Sequence, residues 1–286
     1  MIVVTGATGK LGHHVIEALL KQVPANQIAA AVRSPEKAAD LAALGIELRK
    51  ADYTDPASLA AAFTGADKLL LISSSEIGEA RQAQHKAVVD AAVAARVKLI
   101  AYTSILHADS SPLILAVDHK FTETYIKASG LPYVFLRNAW YLENHTENLA
   151  PALQHGAILG AAEDGRFAAA SRVDYALAAA AVLTSEGHAN RIYELAGDTA
   201  YTLTELAAAV SQAANKPVRY QNLPPQEFEG ALTGFGLPAP VAHILADADA
   251  QAAKGELDST SRDLQTLIGR ATTPLADAIQ AALPKK

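Results

Sequence analysis

The chain has 286 residues, half of them apolar, and its 24 basic and 30 acidic residues give a formal net charge of −6. This length and composition favour one large folded domain or a domain with a smaller cap, and the negative charge excludes a general attraction to nucleic acid or anionic lipid. The absence of cysteine excludes disulfides and thiolate catalysis.

The first twelve residues, MIVVTGATGKLG, predict a strand, a glycine turn and a helix. An apolar run, Ile2 to Val4, precedes an amphipathic segment, Lys10 to Leu20. Three glycines follow the apolar run at three-residue spacing, Gly6, Gly9 and Gly12, and the last of them lies in the first turn of the amphipathic segment. Such glycines let the backbone turn and approach a pyrophosphate, whose charge faces free amides at the helix start. The pattern predicts a dinucleotide site, and the alternative is a turn that serves packing alone.

The second predicted strand, Gln27 to Val32, ends at Arg33. In a doubly wound sheet this strand end lies beside the adenosine ribose, where an acidic residue would bind the 2′-hydroxyl of NAD. A guanidinium there can instead bind a 2′-phosphate. We therefore expect NADPH to be preferred and NADH to bind more weakly, the alternative being a solvated surface arginine.

Alternation of helix and strand continues to a serine-rich loop. The predicted elements are a helix from Pro35 to Leu44, a strand from Ile46 to Ala51 that ends in Asp52 and Tyr53, a helix from Pro56 to Phe63, and an apolar strand from Lys68 to Ile72. Ser73, Ser74 and Ser75 follow at the carboxyl end of that strand, which is the ligand side of an open sheet. We favour a cofactor edge over a merely flexible turn.

Two more strand and helix units complete this pattern. They comprise a helix from Gln82 to Ala95, a strand from Val97 to Thr103, a helix from Leu115 to Ser129 that contains Lys120, and a strand from Tyr133 to Leu136. Repeats of this length predict the α/β class, with a Rossmann-like doubly wound parallel sheet. We assign residues 1–150 to an NADP(H)-binding domain.

The remainder of the chain is less regular. It predicts an alanine-rich helix from Val173 to Ser185 with Asp174 as its cap, a strand from Ile192 to Leu195, and a capped helix start at Thr202 to Glu205. We expect residues 151–200 to return elements to the first domain, and residues 151–286 to form a smaller, mostly helical α+β substrate cap.

Several catalytic patterns are missing. None of the nine tyrosines has lysine four places on, which argues against the usual alcohol or ketone chemistry of short-chain dehydrogenases. The sequence has no G-x-S-x-G or H-E-x-x-H motif, and nine scattered histidines give no metal site. The remaining candidates are Tyr53 and Lys120 for catalysis, Asp52 and Thr103 at strand ends, and the segment from Asn138 to Tyr141.

Several motifs together resemble the NmrA-like atypical short-chain dehydrogenases. Within that family the chain is most similar to the bacterial type 2 NAD(P)H:quinone oxidoreductases. The similarity extends nearly end to end and rests on TGATGKLG, Arg33, ADY at 51–53, LLISSS at 70–75, AYTS at 101–104, LRNAWYLEN at 136–144, YELAGD at 193–198 and LIG at 267–269.

The resemblance implies a role for each matched segment. It assigns NADPH binding to Gly6, Ala7, Thr8, Gly9, Lys10, Leu11 and Arg33, with Ser73 to Ser75 beside the cofactor. It assigns the nicotinamide and quinone pocket to Arg137, Asn138, Ala139, Trp140, Tyr141, Leu142 and Tyr175. A lysine assists proton transfer in related reductases, and Lys120 lies in the comparable helix.

The leading functional expectation is an NADPH-dependent quinone reductase without flavin. Hydride addition to a quinone gives a delocalised hydroquinone anion that water can protonate, so positioning can supply most of the catalysis. The alternatives are a reductase of other conjugated electrophiles, such as triphenylmethane dyes, and a non-catalytic NADP(H) sensor like NmrA. We expect a cytoplasmic protein without membrane insertion or a metal, and a homo-oligomer is compatible with the sequence.

Overall fold

The computed structural model describes residues 1–283. In that part of the chain the strands are Ile2–Thr5 (β1), Ile28–Val32 (β2), Glu47–Lys50 (β3), Lys68–Leu71 (β4), Leu99–Ile105 (β5), Tyr133–Asn138 (β6), Ala157–Gly160 (β7), Arg166–Phe167 (β8), Arg191–Leu195 (β9), Tyr201–Thr202 (β10) and Arg219–Asn222 (β11).

The α-helices of the same residues alternate with the strands in the first half and predominate in the second. They are Lys10–Leu20 (α1), Ala39–Ala43 (α2), Pro56–Ala62 (α3), Glu79–Ala94 (α4), Ile114–Ala128 (α5), Leu142–Thr146 (α6), Ala150–His155 (α7), Arg172–Thr184 (α8), Leu203–Ala214 (α9), Pro225–Gly234 (α10), Ala239–Ala252 (α11), Asp263–Ile268 (α12) and Leu275–Ala282 (α13).

Seven strands form one parallel sheet in the order β3-β2-β1-β4-β5-β6-β9. From β1 the chain moves outward through β2 and β3, then crosses back to β4 on the other side of β1. The predicted Rossmann-like, doubly wound sheet is confirmed. Ligands of such sheets bind outside the carboxyl ends of the strands, where the strand order reverses.

Both faces of the sheet are covered, which explains why its inner strands read as apolar runs. Side chains alternate along each strand, so neighbouring residues enter different cores. In β1, Val4 packs in a core with residues of α1 and α8, whereas Val3 packs in another with residues of α3 and α4. The glycine turn after β1 is thereby fixed between two packed layers.

The second half of the chain both covers the sheet and extends it. β9 pairs with β6 as the seventh strand, and α8 packs against α1. The other elements form two small sheets, β8 with β10 and β7 with β11, around a separate apolar core that includes Trp140. The division at residue 150 stays a prediction, although residues 172–195 lie structurally with the sheet.

The predicted cap residue of α8 is wrong. Ser171 caps the helix, since its Oγ accepts from the backbone N–H of Asp174 at 3.1 Å. The Asp174 carboxylate is buried and bonds to Arg270 at 2.6 Å and to the N–H of Thr273 at 2.8 Å. It ties α8 to the C-terminal segment instead.

The predicted boundaries of three other elements are confirmed in one case and changed in two. The predicted capped helix start at Thr202 to Glu205 is confirmed, and the cap is a reciprocal capping box at the start of α9. The helix predicted from Pro35 to Leu44 is interrupted, with a 3₁₀ turn over Pro35–Lys37 before α2. β6 extends through Asn138 because the polar Arg137 finds buried carboxylate partners within the fold.

Candidate active site

The glycine turn forms a backbone cradle at the start of α1. Gly6 has φ of +60°, a conformation that suits glycine, and its carbonyl accepts from Gly9 N–H at 2.9 Å. A Cβ on Gly12 would lie 2.3 Å from the Gly6 carbonyl oxygen, so the helix start and the turn touch through their backbones. No side chain caps α1, and its first amides have no acceptor within the helix. The cradle fits a pyrophosphate.

Other residues of this turn are placed differently by the structure. Thr8 is exposed, whereas the side chains of Ala7 and Leu11 are buried in the core, which leaves only their backbones for a ligand. The Lys10 ammonium pairs with Glu147 directly after α6. Lys10 therefore connects the glycine turn to the second half of the chain.

A cleft of about 520 Å³ brings together most of the predicted cofactor residues. Those that line it are Gly6, Thr8, Gly9, Arg33, Asp52, Tyr53, Ser73, Ser74 and Ser75. Thr54 and Gln84 also line it and were not predicted. Gln84 lies on α4 behind the serine loop, and its bond from Ser74 Oγ could not be read from sequence spacing.

Arg33 and Asp52 lie at the ends of neighbouring strands on one side of this cleft. The Asp52 carboxylate accepts from the N–H and hydroxyl of Thr54 at 2.8 and 2.7 Å, which lowers its pKa, and the charge of Arg33 contributes further. Arg33 is exposed and forms no salt bridge within residues 1–283. Its guanidinium is available for a phosphate group.

The serine loop after β4 is held in place rather than free. Ser73 donates from its N–H to Thr103 Oγ1 at 2.9 Å and from its Oγ to the Thr103 carbonyl at 2.6 Å. The N–H of Ser74 donates to His85 Nε2 at 2.9 Å. Thr103 is buried behind the loop and therefore positions Ser73, while Ser75 is exposed in the cleft.

Tyr53 is bonded to the sheet edge. Its hydroxyl lies 2.5 Å from Thr5 Oγ1 and donates to the carbonyl of Ile72 at 2.9 Å. Burial raises the pKa of this phenol well above its usual range. A neutral phenol in these bonds joins β1 to the end of β4, which is a positioning arrangement and gives no support to proton transfer.

The structure does not place Lys120 near the cleft. It is exposed on α5, next to the buried His119, and lines none of the clefts described here. Successive helix residues are turned by about 100°, so only one side of α5 faces the sheet. The buried side carries Asp118, His119 and Glu123, and Lys120 lies outside it.

Arg137 is buried in an ion cluster rather than facing an open pocket, and the Asp109 side chain of that cluster is exposed. It bonds both oxygens of Glu123 at 2.9 and 2.7 Å, and it reaches Glu194 at 2.8 Å and Asp109 at 3.1 Å. This cluster joins α5, β6 and β9. Each of the three guanidinium nitrogens of Arg137 already bonds a carboxylate, so this geometry does not support a role in binding substrate.

The residues after Arg137 follow one another around the carboxyl end of β6. The side chain of Ala139 is buried, and its N–H bonds to the carbonyl of Leu195 at 2.8 Å. Tyr141 is half-buried, with the Arg172 guanidinium 5.3 Å from its ring centre and the Tyr175 ring at the same distance. Leu142 is buried in the core that includes Trp140.

An apolar cavity of about 610 Å³ lies beyond this segment. Trp140 lines it together with residues of α7, α9, α10 and α11, among them Phe228, and with Phe235 directly after α10. Tyr175 lies beneath the segment, where its hydroxyl donates to the carbonyl of Trp140 at 3.2 Å. Trp140 therefore lines this cavity, whereas Tyr175 is buried beneath the segment in another core.

Among residues 1–283, no group of three or more histidine, cysteine, aspartate or glutamate side chains could hold a metal ion. Every helix in that range is too short or too polar to cross a bilayer.

Comparison with known proteins gives close matches over the whole chain. The model of the NmrA-like family matches residues 1–273. Quinone oxidoreductase 2 of Escherichia coli is 54% identical over 279 residues, which cover 98% of this chain and 97% of that protein.

Solved structures agree with this match. The crystal structure of NADPH-dependent quinone oxidoreductase from Escherichia coli, complexed with NADPH, has a TM-score of 0.95 at 54% identity and covers 98% of this chain and 99% of that one. Triphenylmethane reductase of Citrobacter sp., complexed with NADP(H), has a TM-score of 0.95 at 44% identity, with coverage of 99% and 100%.

Proposed function

The chain belongs to the NmrA-like family, and we propose that it is an NADPH-dependent quinone oxidoreductase. The observation that carries this conclusion is the 54% identity to the Escherichia coli quinone oxidoreductase over nearly the whole of both chains. The substrate is a small-molecule quinone. We further propose that the enzyme works in the cytoplasm.

The cleft beside the glycine turn is the proposed cofactor site. The cradle of Gly6, Gly9 and Gly12 would hold the pyrophosphate, and Arg33 would hold the 2′-phosphate that distinguishes NADPH from NADH. Bound NADPH supplies a hydride, which carries two electrons, directly to the quinone, and no flavin is required. NADH should bind more weakly because it lacks the group that Arg33 recognises.

The chain itself contributes positioning rather than a dedicated proton donor. Ser73 and Thr103 fix the loop beside the cleft, and the aromatic residues Trp140 and Tyr141 follow the carboxyl end of β6. The quinone takes up the hydride and one proton from water, giving the hydroquinone. Because the intermediate anion is delocalised, ring alignment can supply most of the rate acceleration.

A second candidate function is reduction of cationic dyes. The observation that favours it is the 44% identity and TM-score of 0.95 to the Citrobacter triphenylmethane reductase. A non-catalytic NADP(H) sensor is the alternative from another class. The NmrA structure is only 18% identical and supports the shared fold alone.

Steady-state oxidation of NADPH separates these functions. The purified protein is tested with a panel of benzoquinones and naphthoquinones, with a triphenylmethane dye, and with NADH in place of NADPH. We expect quinone turnover with NADPH at a higher kcat/KM than with NADH. Turnover of the dye but of no quinone would favour the second function, and tight NADPH binding without turnover would favour the sensor.

A further inference from the structure

Arg81 is a buried cation. It lies in the first turn of α4, and only 7% of it is exposed. Its Nη2 donates to the carbonyl of Ser74 at 2.8 Å, but its Nε and Nη1 are buried and have no hydrogen-bond partner in residues 1–283. No salt bridge reaches it in that part of the chain. Because a guanidinium stays charged, such burial is costly unless an acceptor arrives.

The titratable neighbours of Arg81 do not supply the missing charge. Burial lowers the pKa of His85 to about 3 and that of His119 well below its usual range, and the charge of Arg81 adds to both effects. Burial also raises the pKa of Tyr102 to about 12. All three groups are therefore neutral near pH 7. The nearby buried carboxylate of Asp118 accepts from the Gly78 N–H and the Gln82 side chain at 2.8 Å each, and within residues 1–283 it forms no salt bridge with Arg81.

Asn138 provides a second, independent observation. Its Oδ1 is buried without a partner, and its Nδ2 lies 3.5 Å from the hydroxyl of Tyr141, a long contact. Exchanging the amide oxygen and nitrogen would still leave one buried polar atom unpaired. Within residues 1–283, Arg81 and Asn138 are the only residues with buried side-chain nitrogen or oxygen atoms in this condition.

These two residues lie at the same edge of the sheet. Arg81 bonds the loop that follows β4, and Asn138 ends β6, while β5 lies between those two strands. The unpaired donors and the unpaired amide are thus confined to the carboxyl edge, where ligands of this fold bind. Buried polar groups without partners are rare in native proteins and call for an explanation such as a ligand.

We propose that Arg81 binds the quinone oxygen on which negative charge develops, with Asn138 as the polar neighbour that orients the ring. The inference rests on the proposed function. When the quinone accepts a hydride and its two electrons, the product is a hydroquinone monoanion, which then takes one proton from water. The unpaired N–H groups of Arg81 bond that oxygen more strongly as its charge grows, which lowers the barrier.

Three variants test this role. Arg81→Met removes the charge and keeps the chain length, whereas Arg81→Lys keeps the charge and loses the planar pair of donors. Lys86→Met is the matched control, because Lys86 is an exposed cation on the same helix, paired with Asp90. We expect kcat for quinone to fall about 100-fold in Arg81→Met, less in Arg81→Lys and not at all in the control.

A binding measurement adds a readout that is independent of turnover. Trp140 is the single tryptophan, so its fluorescence can report ligands at this edge. The probes are 2-hydroxy-1,4-naphthoquinone, which is an anion at neutral pH, and neutral 1,4-naphthoquinone. We expect the native protein to bind the anion about tenfold more tightly than the neutral quinone and Arg81→Met to lose this preference. Because Arg81 also bonds the Ser74 carbonyl beside the cofactor cleft, the NADPH affinity of Arg81→Met should fall by less than its affinity for the anion.

The outcomes distinguish this inference from the proposed function. If the native protein reduces quinones and Arg81→Met keeps both kcat and the anion preference, the role of Arg81 is overturned and the function stands. A weaker affinity for NADPH with an intact anion preference would also overturn it. If the native protein reduces no quinone, the function fails and this role fails with it. Should Arg81→Met not fold, unchanged kcat and anion affinity in Arg81→Lys would be the contradicting result.

Discussion

Replacement of Gly12 by alanine tests how the backbone cradle is built. The added Cβ would lie 2.3 Å from the Gly6 carbonyl oxygen, 2.7 Å from the Ala7 Cα and 2.9 Å from the Gly6 carbonyl carbon. All three are backbone atoms, so no side chain can move aside, and the turn must shift away from the helix. Alanine gains about 1 kcal/mol of helix propensity, but overpacking costs about 1–3 kcal/mol.

We therefore expect Gly12→Ala to unfold at a slightly lower urea concentration and to raise the Kd for NADPH about 10- to 100-fold, because the amides no longer align on the pyrophosphate. Gly230→Ala is the matched control. Gly230 is exposed within α10, and a Cβ there would meet nothing within 4 Å. The control should gain about 0.5–1 kcal/mol of stability and keep its NADPH affinity.

Urea unfolding and fluorescence titration with NADPH measure the two effects separately. The reasoning would be refuted if Gly12→Ala bound NADPH as tightly as the native chain. It would also be refuted if both alanine variants lost the same affinity, since the control leaves the turn untouched.

Three more predictions concern separate parts of the chain. Arg33→Asp should raise the Kd for NADPH about 10- to 100-fold and change that for NADH little, and equal losses in titrations of both cofactors would remove Arg33 from the 2′-phosphate. Ser171→Ala should lose about 1 kcal/mol in urea unfolding through the α8 cap, and unchanged stability would place the cap elsewhere. Asp249 is buried, which raises its pKa to about 6, so its contribution to stability is present at low pH and is lost as pH rises through that value. Asp249→Asn should therefore be about 3 kcal/mol more stable than the native chain at pH 8 and no more stable at pH 4, as thermal unfolding across this range would show.

The features that the sequence predicts well are those that local pattern determines. The apolar runs of β1, β2 and β4 follow from burial on both faces, and the glycine spacing follows from a backbone contact that excludes Cβ at Gly12. The position of Arg33 also needs only the end of one strand. These are local regularities, so a single chain displays them without reference to distant residues.

The features that escape the sequence depend on distant partners. The sequence predicts Arg137 as a pocket residue, but in the structure it forms salt bridges with Glu123 of α5 and Glu194 of β9. Lys120 follows His119, which is on the buried face of α5, but is itself outside that face. The sequence cannot show this difference, because it depends on how the helix is oriented on the sheet. Arg81 looks like an ordinary charge near a helix start. Only the packing of the surrounding elements shows that it is buried and that its Nε and Nη1 have no partner within residues 1–283.

A single-turnover experiment with deuterated NADPH tests the central claim most directly. The purified protein is mixed with one equivalent of NADPH deuterated at C4 and with excess naphthoquinone, and the oxidation of NADPH is followed by stopped flow. Two samples are compared, each with deuterium at a different one of the two C4 positions. Direct hydride transfer predicts one hydroquinone per NADPH and a slower reaction for one of these two samples only. NADPH that binds tightly but is oxidised by no quinone would contradict the account.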